Sequence, residues 1–114
     1  MRLESALNAS RQGVSVHGQA MAVIGDNISN VSTIGFKESR FEFADLLSDR
    51  ATGEIGQVGS VGSGVTLSRV RPRLETGIIE ATGRSLDVAI EGNGFFIIGD
   101  PSNPPYSRAG NFVM

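Results

Sequence analysis

The sequence predicts an α+β chain: a long N-terminal helix of coiled-coil type, a glycine-rich connector, and a mostly antiparallel β domain that stops in mid-pattern. Three observations carry this. Apolar residues recur every 3.5 positions over 3–31, apolar periodicity disappears between Asp49 and Gly64, and a two-residue alternation begins after Gly64. The expected divisions are residues 1–35 for the helix and its exit, 36–63 for the connector, and 64–114 for a β-rich part left incomplete.

Leu3, Leu7, Ser10, Val14, His17, Met21, Ile24, Ile28 and Val31 are spaced alternately by four and three residues. That is the seam of a heptad repeat, and seven of the nine positions are apolar. A helix over 3–31 would be roughly 45 Å long at ~1.5 Å per residue, beyond the ~8–20 residues usual in globular proteins. One flank of the seam holds small residues, Ser15, Gly18, Ala22, Gly25 and Ser29, and the other holds Ala6, Ala9, Gly13, Val16, Ala20, Val23, Asn27 and Asn30. Only Ser5, Asn8, Gln12, Gln19 and Asp26 form a polar strip, and a helix apolar around most of its circumference belongs inside something larger. The remaining chain is too short to sheathe such a rod. The seam residues Leu3, Leu7, Val14, Met21, Ile24, Ile28 and Val31 are therefore expected to face another helix or another subunit.

The helix is expected to end near Asn30, because Val31, Thr33 and Ile34 are β-branched and Gly35 follows. Phe41, Phe43, Leu46 and Leu47 mark a short helix or an extended piece, and the pattern does not choose between them. Glycines at 53, 56, 59, 62 and 64 read as a connector, since no Lys-Ser/Thr follows them as a phosphate loop requires.

Val65 and Leu67 then alternate with polar residues, and Pro72 limits that strand to an edge or an end. Arg69, Arg71 and Arg73 share one face, read as solvated. Leu86 to Ile90 and Phe95 to Ile98 flank Glu91-Gly92-Asn93-Gly94, the signature of a β-hairpin with glycines supplying positive φ. Thr82-Gly83 makes an earlier turn, and Tyr106 to Phe112 begins another strand pair.

Composition excludes several functions. The 114 residues contain no cysteine, so thiol catalysis and cysteine zinc sites are ruled out. A net charge of −2 and a pI near 5.3 argue against a general nucleic-acid binder. The single histidine, His17, lies on the seam with no metal-ligand cluster or catalytic serine arrangement around it. No enzyme activity, cofactor or metal is expected. The N-terminus lacks the continuous apolar core of a secretory signal, and no stretch reaches the ~18 apolar residues of a membrane span.

Three stretches resemble the bacterial flagellar hook and basal-body rod family. Asp26-Asn27-Ile28-Ser29-Asn30-Val31-Ser32-Thr33-Ile34-Gly35-Phe36-Lys37 is similar to the family's N-terminal signature, with Asp26 where asparagine is usual. Thr82-Gly83 with Leu86-Asp87-Val88-Ala89-Ile90, Gly92, Gly94, Phe95 and Phe96 resembles the second signature, and Tyr106-Ser107-Arg108 with Gly110 and Phe112 the third. Phe36 to Arg40 and Phe43 to Leu47 look more like hook protein than rod protein.

The resemblance implies a structural subunit that polymerises helically into the hook or rod tube, transmitting torque and conducting exported subunits. Its implied partners are further copies of itself, the C-terminal helix of its own full-length chain, other flagellar axial proteins and the export apparatus. Export beyond the cytoplasm without a cleaved signal is implied as well. In this reading Asn27, Asn30, Thr33, Gly35 and Phe36 shape the turn out of the helix, and Leu86, Asp87, Val88, Gly92, Gly94, Phe95 and Phe96 form the hairpin signature. The alternative reading is a secreted β-rich binding module with an oligomerising N-terminal helix.

Overall fold

The computed structural model describes residues 2–46 and 62–114. One long helix is followed by two small two-stranded sheets, an α+β architecture. Its described residues fall into two compact units, one made of Met1–Asp26 and Ser39–Arg71, the other of Asn27–Glu38 and Pro72–Met114.

In the first unit, α1 (Arg2–Ser29) is 28 residues long, and the heptad-like repeat accounts for its length. Ser10 bonds back to the carbonyl of Ala6 at 2.8 Å, so its hydroxyl is used inside the helix rather than competing with it. The stretch left open between helix and extended is extended: β1 (Ser39–Asp45) pairs with β2 (Val65–Pro72). Leu46 N–H donates to Gly64 O at 3.0 Å, and Glu42 meets Arg69 across the pair, so the strands run antiparallel. Pro72, which has no N–H to give to the ladder, is the last residue of β2.

Gly64 lies against the helix. Its φ is +108°, and a methyl there would come within 2.5 Å of Gln12 Oε1 and 3.3 Å of Ala9 Cα. Phe43 meets Phe41 edge-on, with ring centres 5.1 Å apart, and lies tilted against His17 of the helix at 5.3 Å. Val16 and Ala20 are the buried apolar residues among those described, at 7% and 4% exposure. Ala9, Gly13 and Val23 are half-buried on the same stripe. The connector glycines 53, 56 and 59 lie outside the described residues.

In the second unit the helix unwinds through three successive tight turns, with Val31 N–H bonding Ile28 O, Thr33 bonding Asn30 and Phe36 bonding Thr33. Gly35 closes this run at φ +74°. β3 (Phe96–Ile97) pairs antiparallel with β4 (Tyr106–Ser107), Phe96 opposite Ser107 and Ile97 opposite Tyr106. Ile98 N–H extends the pairing to Pro105 O at 3.0 Å.

Here the structure corrects the expected hairpin. Leu86 to Ile90 does not pair with Phe95 to Ile98. Asp87 instead bridges Asn111, and Val88 N–H donates to Gly110 O at 2.9 Å. Both apolar runs thus take their partners from the stretch 105–111. The glycine turn forms, with Gly92 at φ +102° and Gly94 at +149°, but its flanks separate rather than zip together.

Candidate functional site

The helix carries two parallel stripes offset by one residue. Ala9, Gly13, Val16, Ala20 and Val23 form the covered one. The seam residues Leu3, Leu7, Val14, Met21, Ile24 and Ile28, with Val31 just beyond the helix end, are between 44% and 82% exposed. Water therefore meets a row of large apolar side chains, while the flank carrying Val16 and Ala20 is covered and the flank of Ser15, Gly18, Ala22, Gly25 and Ser29 is exposed. His17 interrupts the row and turns its ring onto Phe43. Among the described residues no group of three or more His, Cys, Asp or Glu is arranged to hold a metal, and no helix is long and apolar enough to cross a membrane.

The second group of sequence-predicted residues comes together in the second unit. Gly35 packs against the backbone of Arg108 and Ala109, where a methyl would sit 2.5 Å from Ala109 N. With φ positive as well, this position requires glycine on two counts. Asn27, Asn30, Thr33 and Phe36 line an open groove beside Lys37, Arg73 and Glu75. Thr33 Oγ1 bonds Asn30 Oδ1 at 3.1 Å, which ties the exit turn to itself.

Asp87 organises the next turn. Its Oδ2 accepts from Thr82 Oγ1 at 2.6 Å, its N–H bonds Arg84 O, and Arg84 Nε stands 3.9 Å from its Oδ1. Gly110 is buried, and a methyl there would overlap Val88 O and meet Phe96 at 3.2 Å. Phe96 and Phe112 form an edge-to-face pair at 5.3 Å and 84°. Leu86 is half-buried, while Val88 and Phe95 are exposed.

Sequence reasoning missed the residues that fasten the Glu91–Gly94 turn. Arg108 donates one guanidinium N–H to Gly94 O at 2.5 Å and another to Gly92 O at 2.9 Å, and its carbon lies 5.8 Å from the centre of the Phe95 ring. Thr76 Oγ1 accepts from Gly92 N–H at 3.2 Å. Neither residue carries a local pattern that would announce this, since both partners lie far along the chain. Lys37 Nζ donates to Glu75 O, and Arg73 bonds both Glu38 and Glu75 at 2.7 Å. The two carboxylates hold the Arg73 pKa above its ordinary value, Glu75 more than Glu38.

Fold and surface define an α+β chain that presents an uncovered apolar helix face and fastens its helix exit to a small β body. No family model matches the chain. It is 40% identical over 100 residues to the flagellar basal-body rod protein FlgG of Bacillus subtilis, which covers 81% of this chain and 38% of that protein. It is 37% identical over 108 residues to the flagellar hook protein FlgE of Treponema pallidum, covering 88% of the chain and 23% of that protein. With the rod protein FlgG of Caulobacter vibrioides it shares 37% over 118 residues, covering 94% of the chain and 45% of that protein. By sequence the chain is a relative of the bacterial flagellar hook and basal-body rod proteins. It spans less than half the length of these curated relatives.

Proposed function

We propose that this chain forms part of a structural subunit of the bacterial flagellar axial structure, one that polymerises helically into the hook or rod tube. The tube transmits torque and conducts exported subunits, and the subunit itself performs no catalysis. The supporting observation is the exposed row from Leu3 to Val31, seven large apolar side chains that this chain leaves in water. Covering a side chain of this size contributes about 1.5–3 kcal/mol, so even partial burial of the row stabilises an assembly substantially. In this reading the row receives a second helix, and the copies stack around it. The kinship to hook and rod proteins supports the same assignment. Subunits of this kind act outside the cytoplasm, alongside other flagellar axial proteins.

Ile24→Asp tests the proposal by placing a charge in the middle of the row. Electron microscopy of the subunit should show no polymer, while circular dichroism shows the helix and β content unchanged. Normal tubes from this variant would overturn the role given to the row.

A further inference from the structure

The outer face of the β1–β2 ribbon carries a charge pattern that the exposed helix row does not account for. Arg69 Nε lies 3.4 Å from Glu42 Oε2 across the two strands. In an antiparallel pair, two residues back along β1 and two forward along β2 meet in the same register, which sets Arg40 opposite Arg71. The backbone bond from Arg73 N–H to Glu38 O, one step further, keeps that register. Arg69 and Arg73 each have a carboxylate. Arg40 and Arg71 are both exposed, and neither has an ion-pair partner among the described residues.

Like charges placed directly across a strand pair work against the pairing. One carboxylate set between two guanidinium groups reverses that effect, because each planar fork donates charge-assisted hydrogen bonds to carboxylate oxygens. An acid suited to the role stands elsewhere in the chain. Glu80 is exposed in the stretch 77–81, which makes no hydrogen bond among the described residues. It follows Ile78 and Ile79, at 93% and 50% exposure.

We propose that Arg40 and Arg71 form a docking site for Glu80 of a second copy of this chain. The inference rests on the reading above only in that copies meet. With a net charge of −2, whole chains repel one another weakly, so the site acts by fixing orientation at contact rather than by attraction at a distance.

Sedimentation equilibrium of the purified 114-residue chain, at about 20 mM and about 500 mM salt, reads this contact, since added salt screens exposed charges. The chain should associate at low salt and dissociate as salt rises. The double variant Arg40→Glu/Arg71→Glu should lower the association constant about tenfold or more, as should Glu80→Arg, because each sets like charges face to face. Mixing the two variants should restore association. Arg40→Gln/Arg71→Gln should weaken association while keeping or raising the melting temperature, which separates docking from folding. A chain that stays monomeric at low salt, charge reversals without effect, or no recovery on mixing would each overturn the proposal. Ile24→Asp separates this contact from the helix row. If Ile24→Asp abolishes association while the charge variants leave it unchanged, the arginine site fails and the helix reading stands.

Discussion

The two stripes of α1 reverse the usual relation between side-chain size and burial. Ala9, Gly13 and Ala20 are small and covered, whereas Leu7, Met21 and Ile24 on the adjacent stripe are large and wet; of two equal-sized valines, Val16 is covered and Val14 is not. A helix serving only its own unit would put its large residues inward, since they carry most of the gain from leaving water. The arrangement teaches that the ribbon's contact with this helix is made through close approach rather than through its largest side chains. Small residues let Gly64 come against Ala9, and the aromatic residues of β1 approach through His17 at the edge of the seam.

Substitutions at neighbouring positions on the two stripes test this division. Val16→Asp places a charge at a 7% exposed site and should cost about 3 kcal/mol or more, read as a large fall in melting temperature. Val14→Asp, at 76% exposure, should leave the folding stability within about 0.5 kcal/mol of the parent while preventing assembly. If both variants unfold the chain equally, the distinction between the stripes is wrong.

Ala20→Leu gives the covered stripe the size of its neighbour and should cost about 1–3 kcal/mol by overpacking, measured by chemical denaturation. Met21→Ala takes size away from the wet stripe and should change folding stability by less than about 0.5 kcal/mol. A larger loss would mean that Met21 already serves the fold.

The smallest effect lies away from the helix. Ser102 N–H donates to Asp100 Oδ1 at 3.0 Å, and this bond, followed by the Ser102 side chain, lowers the Asp100 pKa below its ordinary value. A carboxyl whose folded pKa is depressed contributes stability that is present above the unfolded pKa, near 3.9, and lost as pH falls through the folded pKa. A carboxyl titration by NMR should place Asp100 below the usual aspartate range, and Ser102→Pro, which removes the N–H donor, should raise it again. No rise in that variant would assign the shift to another cause.

Much of this was legible in the sequence because it is local. A 3.5-residue repeat fixed the extent of α1 to within a few residues, β-branched residues before Gly35 gave its exit, and Gly92 and Gly94 gave the turn. The pairing around that turn was not legible. Two apolar runs flanking Gly-Asn-Gly read as a hairpin, yet Val88 bonds Gly110 and Phe96 pairs with Ser107. The turn is held by Arg108 and Thr76 rather than by bonds between its flanks, and spacing along the chain says nothing about such distant donors. The seam reads as facing something outside this part of the chain, but the pattern does not say that the ribbon would cover the flank of Val16 and Ala20, because a periodic signal reports phase and not neighbours.

Gly35 touching Ala109 has a consequence for the order in which the molecule is completed. A chain that enters its surroundings from the amino end offers its helix early, but the bend leaving that helix meets its backing only when the distant residues Arg108 and Ala109 have followed. Closing so long a loop carries an entropic cost that must be met before the contact returns anything. The bend therefore sets only once the stretch around Ala109 is in place.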